Sequence, residues 1–412
     1  MNATALEAAC DAPIGADQDA DANAGPVYLD ANATTPMAPA VLAAMLPYFS
    51  AEFGNPSSPY AAGGRARAAV TEARARVAAA IGGEDSEIVF TSGGTEGANA
   101  AIRAALKANP KRRVLVTTAV EHAAVRTLAD RLETRGVIVR RVPVESTGAL
   151  DIAAFEDALG PDVAVVSAMW ANNETGTLFP VAELAERAKA VGALFHTDAV
   201  QAAGKLTIDV AATAIDLLSF SGHKLHGPKG IGALYVRRGL KFSPLIVGGR
   251  QERGRRAGTE NVPAIVGLGV AAELAAAADW SGVQALRDRL EAELMARITA
   301  AMVLGDRGAR LPNTSCIAFA GADAEAVLHR LDRAGIAAAS GAACSSGSIE
   351  PSHVLRAMAV PDTFARGAVR FSLSRDTTAA DIDRVLAVVP AIVADLRPPC
   401  RRPSPSPEKL HA

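Results

Sequence analysis

The sequence predicts an α/β protein, with a mostly parallel sheet sandwiched by helices and a second, smaller α/β domain after it. Three observations carry that reading. Between residues 87 and 236 short β-prone runs alternate with single helical segments, the pattern of strands joined by crossover helices. Polar clusters follow those strands directly, where an open parallel sheet binds its ligand. Two long helical segments, near 261–278 and 282–300, then lead into a further set of strands and helices.

In chain order, residues 1–25 are an Ala- and Asp-rich tail, expected to be disordered. Order begins with a short strand at 26–30, followed by a helix over 39–50. Phe53 to Pro59 form a turn-rich loop, and an Ala/Arg helix covers about 64–81. Strands are expected at 87–90, 113–117, 137–142, 163–169, 194–197, 215–220 and 231–236. Helices fall at 95–108, 122–135, 151–159 and 181–191. Residues 26–275 form the expected large domain, its first residues able to pack on the small one. Residues 276–396 form the small domain, with strands near 313–320 and 366–374 and helices near 323–334 and 379–396. A Pro/Ser tail over 397–412 is expected to be disordered. The sequence shows no internal repeat.

Composition excludes several classes. The 412 residues are 50% hydrophobic with a net charge of −2, which gives no electrostatic footprint for nucleic acid or a membrane surface. No apolar run reaches the ~18 residues of a membrane-spanning helix. The N-terminus lacks the basic and apolar regions of a secretory signal. Cys10, Cys316, Cys344 and Cys400 are scattered without a CxxC pair, as expected of a reducing cytoplasm and not of a disulfide framework or structural zinc.

The chemistry centres on Ser219 to Gly230, which reads as strand, turn, strand with Lys224 at the turn. Gly222, Gly227 and Gly230 let the backbone pass close to a ligand. A lysine that forms a Schiff base must be partly desolvated, so that its amine is nucleophilic near neutral pH. Taken alone, the segment reads first as a basic turn on a solvated surface. Gly93-Gly94-Thr95 stands between a strand and a helix, a geometry that binds phosphate through unpaired N–H groups and the helix dipole. It fits neither the GxGxxG nor the GxxxxGK[ST] pattern, and a plain N-cap has the same form. Asp198 at a strand end suits a protonated ring nitrogen or a helix cap. Together these segments match the needs of pyridoxal 5′-phosphate: a lysine, an acid for the ring nitrogen, an anion pocket and a group over the ring face. Cys344 lies among Ser and Gly, as an accessible nucleophilic thiol would, whereas Cys316 sits in a strand and reads as core.

With these residues assembled, the chain resembles the cysteine desulfurases of the nitrogen-fixation type, within the class-V aminotransferases of fold-type I. The resemblance spans about 27–396. It is carried by Tyr28 to Thr35, Phe53 to Ser58, Phe90 to Glu96, Trp170 to Gly176, His196 to Gln201, Ser221 to Gly230, Glu252 to Asn261, Cys344, Glu350 to Leu355 and Val369 to Arg375. It implies a large domain with a seven-stranded, mostly parallel sheet. Lys224 is implied as the covalent cofactor lysine, Asp198 as partner of the pyridinium and Gln201 of the ring hydroxyl. His122 would lie over the ring and serve in proton transfer, with Asn173 nearby. Gly94, Thr95, Ser221 and His223 would hold the phosphate, joined by Thr259 from a neighbouring subunit, which implies a homodimer. Arg370 would clamp the substrate carboxylate, and Asn32 and Thr34 would line the substrate mouth. Cys344 would accept sulfur from L-cysteine as a persulfide, for an iron–sulfur scaffold protein and nitrogenase-related cluster assembly in the cytoplasm. No metal enters catalysis, although that persulfide would meet a nascent cluster.

Three departures stand out: Ala31 where that type usually has Asn, Ala342 and Ser345 in place of Ser and Thr, and a Pro/Ser tail unlike the scaffold-binding terminus of the housekeeping branch. Rival readings are a selenocysteine lyase or β-lyase with the same cofactor, and a sulfur carrier that uses Cys344 alone. A metal site of His122, His196, His223 and His226 lacks ligand spacing.

Overall fold

A computed structural model describes residues 25–341 and 351–397. Thirteen strands are described. In chain order β1 is Val27–Tyr28, β2 Ile88–Thr91, β3 Val114–Thr118, β4 Ile138–Val142, β5 Val163–Ser167, β6 Leu194–Asp198 and β7 Leu217–Ser221. Then β8 is Gly232–Val236, β9 Ala301–Leu304, β10 Thr314–Phe319, β11 Ile336–Ala337, β12 Ala339–Ser340 and β13 Ala368–Ser372.

Seven strands form one sheet in the order β2-β8-β7-β6-β5-β3-β4. The pairs from β7 through β4 are parallel, whereas β8 runs antiparallel to both β7 and β2. Two reversals cancel, so β2 points the same way as β3 to β7. All six strands therefore end on one edge, although β2 and β7 are not neighbours. Most of these strands read as continuous apolar runs, buried on both faces by helices. The helices Ala61–Ala79 and Val262–Ala276 pack on one face, with Val70, Val77, Ile265 and Leu268 in the principal core. Gly94–Ala108 and Ala123–Glu133 lie over the other, with Ile102, Leu115 and Leu128.

A second core gathers Leu290, Leu294, Phe319, Phe371, Val385 and Val389 around an antiparallel sheet ordered β12-β13-β10-β9. Here the sequence shows only the two longer strands. The two-residue strands β11 and β12 are too short for any period to register, and β9 is a short edge strand only partly buried. The N-terminal strand β1 pairs in parallel with β11, and Val27 and Leu29 pack into this second core. The expected helix over 39–50 is a helix at Pro39–Met45 followed by a 3₁₀ turn at Leu46–Phe49. Pro47 lacks the N–H that an α-helix would use there.

Among the described residues no single helix is long and apolar enough to cross a membrane. Cys316 is buried in β10, where burial pushes its thiol up to about 12, as expected of a core residue. Cys10, Cys344 and Cys400 lie outside the described residues, as do both expected tails up to residue 24 and from 398.

Candidate active site

The common edge of β2 to β7 borders a cavity of about 330 Å³. Eleven of the expected site residues line it: Asn32, Gly94, Thr95, His122, Asn173, Asp198, Gln201, Ser221, His223, Lys224 and Arg370. Thr34 and Thr259 are not among its lining residues, and Cys344 lies outside the described residues.

Strand β7 delivers Ser221 and then a single 3₁₀ turn, Gly222–Lys224. The segment before the helix Pro39–Met45 sutures that turn in place. Thr35 N–H and Oγ1 both donate to His223 O at 2.9 Å, and His226 N–H donates to Thr35 Oγ1 at 2.8 Å. His226 holds a left-handed backbone at φ 59°, strain that these bonds support. Lys224 Nζ donates to Asn32 O and, at 2.7 Å, to Ala33 O.

The residues expected to hold a phosphate come together from two sides. Gly93, at φ 153°, ends the β2 turn and starts the helix Gly94–Ala108. Gly94 N–H donates to Ser221 Oγ at 2.7 Å. A Cβ on Gly94 would fall 2.5 Å from Val200 Cγ2 and 3.1 Å from Ser221 Oγ, so the cradle accepts glycine alone without displacement. His223 contacts Thr34 Oγ1 through Nδ1 at 3.2 Å. Burial, with Lys224 and Lys229 adding, pulls the His223 imidazole down to about 4, so it is neutral at pH 7.

Asp198 closes β6 and is buried, its Oδ1 accepting Val200 N–H at 2.9 Å. Burial raises its pKa despite the opposing charges of His122 and Lys224. His122 caps the helix Ala123–Glu133, its Nδ1 accepting Ala124 N–H at 3.1 Å, which leaves the neutral ring's proton on Nε2.

Asn32 lines the cavity, and its side-chain amide is held by partners behind it. Its side-chain amide donates to Thr314 Oγ1 at 2.9 Å and to Asn173 O at 3.2 Å, and its Oδ1 accepts Asn313 Nδ2. What it offers Lys224 and Gln201 is its backbone carbonyl. Thr34 reaches the site through the His223 ring. Arg370 projects from β13, with Nη1 on Asn173 O at 3.0 Å and Nη2 on Asp30 Oδ1 at 2.6 Å.

The Gly- and Arg-rich loop over 248–259 is tied to the body of the protein. Glu252 is buried at φ 48° and accepts both guanidinium ends of Arg74 at 2.7 Å, together with Phe90 N–H at 3.0 Å. Arg256 reaches Glu96 in the first turn of the helix Gly94–Ala108. Thr259 beyond it is exposed.

Three buried ionisable residues near the site, Glu121, Glu174 and Lys205, carry no signal that assigns them a role in the sequence. Glu121 is buried beside Asp198 and pushed up to about 8 by burial. Glu174 is buried, pushed up to about 7, and accepts Ser352 Oγ at 2.6 Å. Lys205 is buried behind Gln201. His196 lies inside the sheet between Ser167 and Ser219, and burial lowers it to about 3. That is a satisfied core histidine, remote from any shared ligand set.

The pattern of the aminotransferase class-V family matches residues 27–385. A cysteine desulfurase of Cereibacter sphaeroides is 61% identical over 373 residues, covering 90% of this chain and 96% of that protein. The cysteine desulfurase NifS of Azotobacter vinelandii is 55% identical over 375 residues, covering 90% and 93%. A solved NifS-like protein superposes with a TM-score of 0.84 at 36% identity, over 90% of this chain and 100% of that one. With the family pattern spanning nearly all of the described residues, the chain belongs to the aminotransferase class-V family.

Proposed function

We propose that the chain is a pyridoxal 5′-phosphate-dependent cysteine desulfurase, which takes sulfur from L-cysteine, yields L-alanine and carries the sulfur as a persulfide on Cys344. The convergence of Lys224, Asp198, Gln201, His122 and Arg370 on one cavity supports this most directly. The donor set fits the cofactor. Asp198 is a buried acid whose carboxylate form lacks a partner strong enough to outweigh burial, which a protonated ring nitrogen would supply. The Gly94 cradle, Ser221 and the neutral His223 suit a phosphate, with Thr95 beside them. When bound, pyridoxal phosphate supplies a conjugated electron sink for the bond pair at the substrate α-carbon.

Lys224 would hold the group covalently and is the base for the α-proton. Gln201 would face the ring hydroxyl, and His122, with Asn173 nearby, would cover the ring and move a proton through Nε2. Arg370 would hold the substrate carboxylate through its fork, beside Asn32. At Cys344 the Sγ–S bond forms as the substrate Cβ–S bond breaks. The electron pair of that bond stays with carbon, which is protonated and leaves as L-alanine. Splitting the transfer in this way replaces one hard step by two.

A homodimer belongs to the same reading. Phe49, Phe53 and Val247 are exposed apolar side chains, and Thr259 is exposed and does not line its own cavity, which supports a role for it at the phosphate of a second subunit. An iron–sulfur scaffold protein, in cluster assembly linked to nitrogen fixation, would accept the sulfur, in the cytoplasm.

The test is direct. The purified protein is expected to be yellow and to form alanine and sulfide from L-cysteine in equal amounts under reductant. Lys224→Ala should lose the visible band, while Cys344→Ala should keep it and release no sulfide. Normal turnover by Cys344→Ala, or a wild type that takes up no pyridoxal phosphate, would overturn the proposal.

A further inference from the structure

Lys205 is a buried lysine, 7% exposed, four residues beyond Gln201. Among the described residues it has no ion-pair partner. Its Nζ donates to Gln201 O at 3.0 Å and to Gln201 Oε1 at 3.2 Å. On the other side, Gln201 Nε2 donates to Asn32 O at 3.0 Å, the same carbonyl that receives Lys224 Nζ.

A carboxamide has an acceptor end and a donor end, and its neighbours decide which way it points. Here a donor stands on one side and a carbonyl on the other. Turning the amide over would set Nε2 against Nζ and Oε1 against Asn32 O, two repulsive contacts in a buried site. We propose that Lys205 is a positioning residue that locks the Gln201 carboxamide with its N–H end turned to the cavity. Resting on the reading that Gln201 faces the cofactor, this assigns Gln201 as a hydrogen-bond donor to the ring's hydroxyl oxygen. The lock does not depend on the charge of Lys205. Burial, then the like charges of Lys224 and Arg370, pulls its ammonium down to about 7, yet both the ammonium and the neutral amine donate.

The experiment measures the affinity of the apo-protein for pyridoxal phosphate, with the apo-protein Tm as a control for folding. Lys205→Met keeps the length of the side chain and removes the donor. It is expected to weaken cofactor binding about tenfold, the scale of one buried hydrogen bond lost, and to alter the pH dependence of the visible band. Lys205→Arg keeps a donor, and Lys205 borders a cavity of about 260 Å³ that gives the longer side chain room. It should bind within about threefold of wild type, well inside the loss expected of one hydrogen bond. In a Gln201→Ala background Lys205→Met should cost nothing more, because a residue that acts through Gln201 has nothing left to orient. Additive losses, unchanged binding by Lys205→Met, or equal damage from Arg and Met overturn the role of Lys205 alone. A wild type that binds no pyridoxal phosphate overturns this role together with the cofactor reading.

Discussion

Arg370, which lines the cavity, is paired with the half-buried Asp30, Nη2 to Oδ1 at 2.6 Å, with side-chain exposures of 5% and 19%. The pair joins β13 to the segment after β1 and sets the plane of the guanidinium. Nη1 meanwhile rests on Asn173 O. Replacing Arg370 by Lys removes the fork and keeps the charge. The expected result is a KM for L-cysteine raised about tenfold or more, with kcat falling less, since one charge-assisted hydrogen bond is lost in ground and transition states alike. Asp30→Asn should also raise KM, by loosening the same guanidinium. Steady-state kinetics across the two variants checks both.

Gly94→Ala tests the phosphate cradle. The new methyl would lie 2.5 Å from Val200 Cγ2, so either Val200 or the first helical turn must move. Retained pyridoxal phosphate after dialysis should fall at least about tenfold, and the Tm of the apo-protein should fall as well, since overpacking a buried position typically costs about 1–3 kcal/mol.

Glu252→Ala tests the loop. Arg74, 12% exposed, would lose both its carboxylate contacts while remaining over the Phe90 ring at 4.6 Å. Removing one partner of a buried pair costs roughly 3–5 kcal/mol. A fall in Tm is expected, together with weaker cofactor retention and a shift of the proposed dimer towards monomer in size-exclusion chromatography, since the same loop carries Thr259.

Glu174 gives a signed pH effect. Its folded carboxyl titrates near 7, raised by burial against the lowering influence of Ser352 and the charges of Arg370, His122 and Arg126. Unfolded, it titrates near ~4.3. Between those values the folded state binds more protons than the unfolded one, so this group contributes stability at low pH that is lost as pH rises towards 7, roughly 4 kcal/mol at the limit. Glu174→Gln removes the titration. The difference in Tm between wild type and variant should move in favour of the variant from pH 4 to pH 7; a constant difference would exclude the effect.

The sequence by itself determined the strand–helix alternation, the sheet edge on which the polar clusters gather, and the candidate residues proposed for a phosphate, a ring and a covalent lysine. Those depend on local features: hydrophobic period, glycine at turns and polar residues after strands. It also carried enough ordered motifs to identify the family. The tertiary structure decided what depends on contact between distant segments. The double reversal at β8 aligns the Gly93-Gly94 turn with the Lys224 turn. The suture of Thr35 to His223 and His226 fixes that turn, and the bonds around Asn32 turn its carbonyl, not its amide, to the site. Asp30 on Arg370, Arg74 on Glu252 and Lys205 on Gln201 are likewise pairs that nothing along the sequence brings together. Period and composition report only what each residue's neighbours along the chain require. Burial and partnership, which move pKa values and set side-chain orientation, arise when the sheet order brings remote segments together.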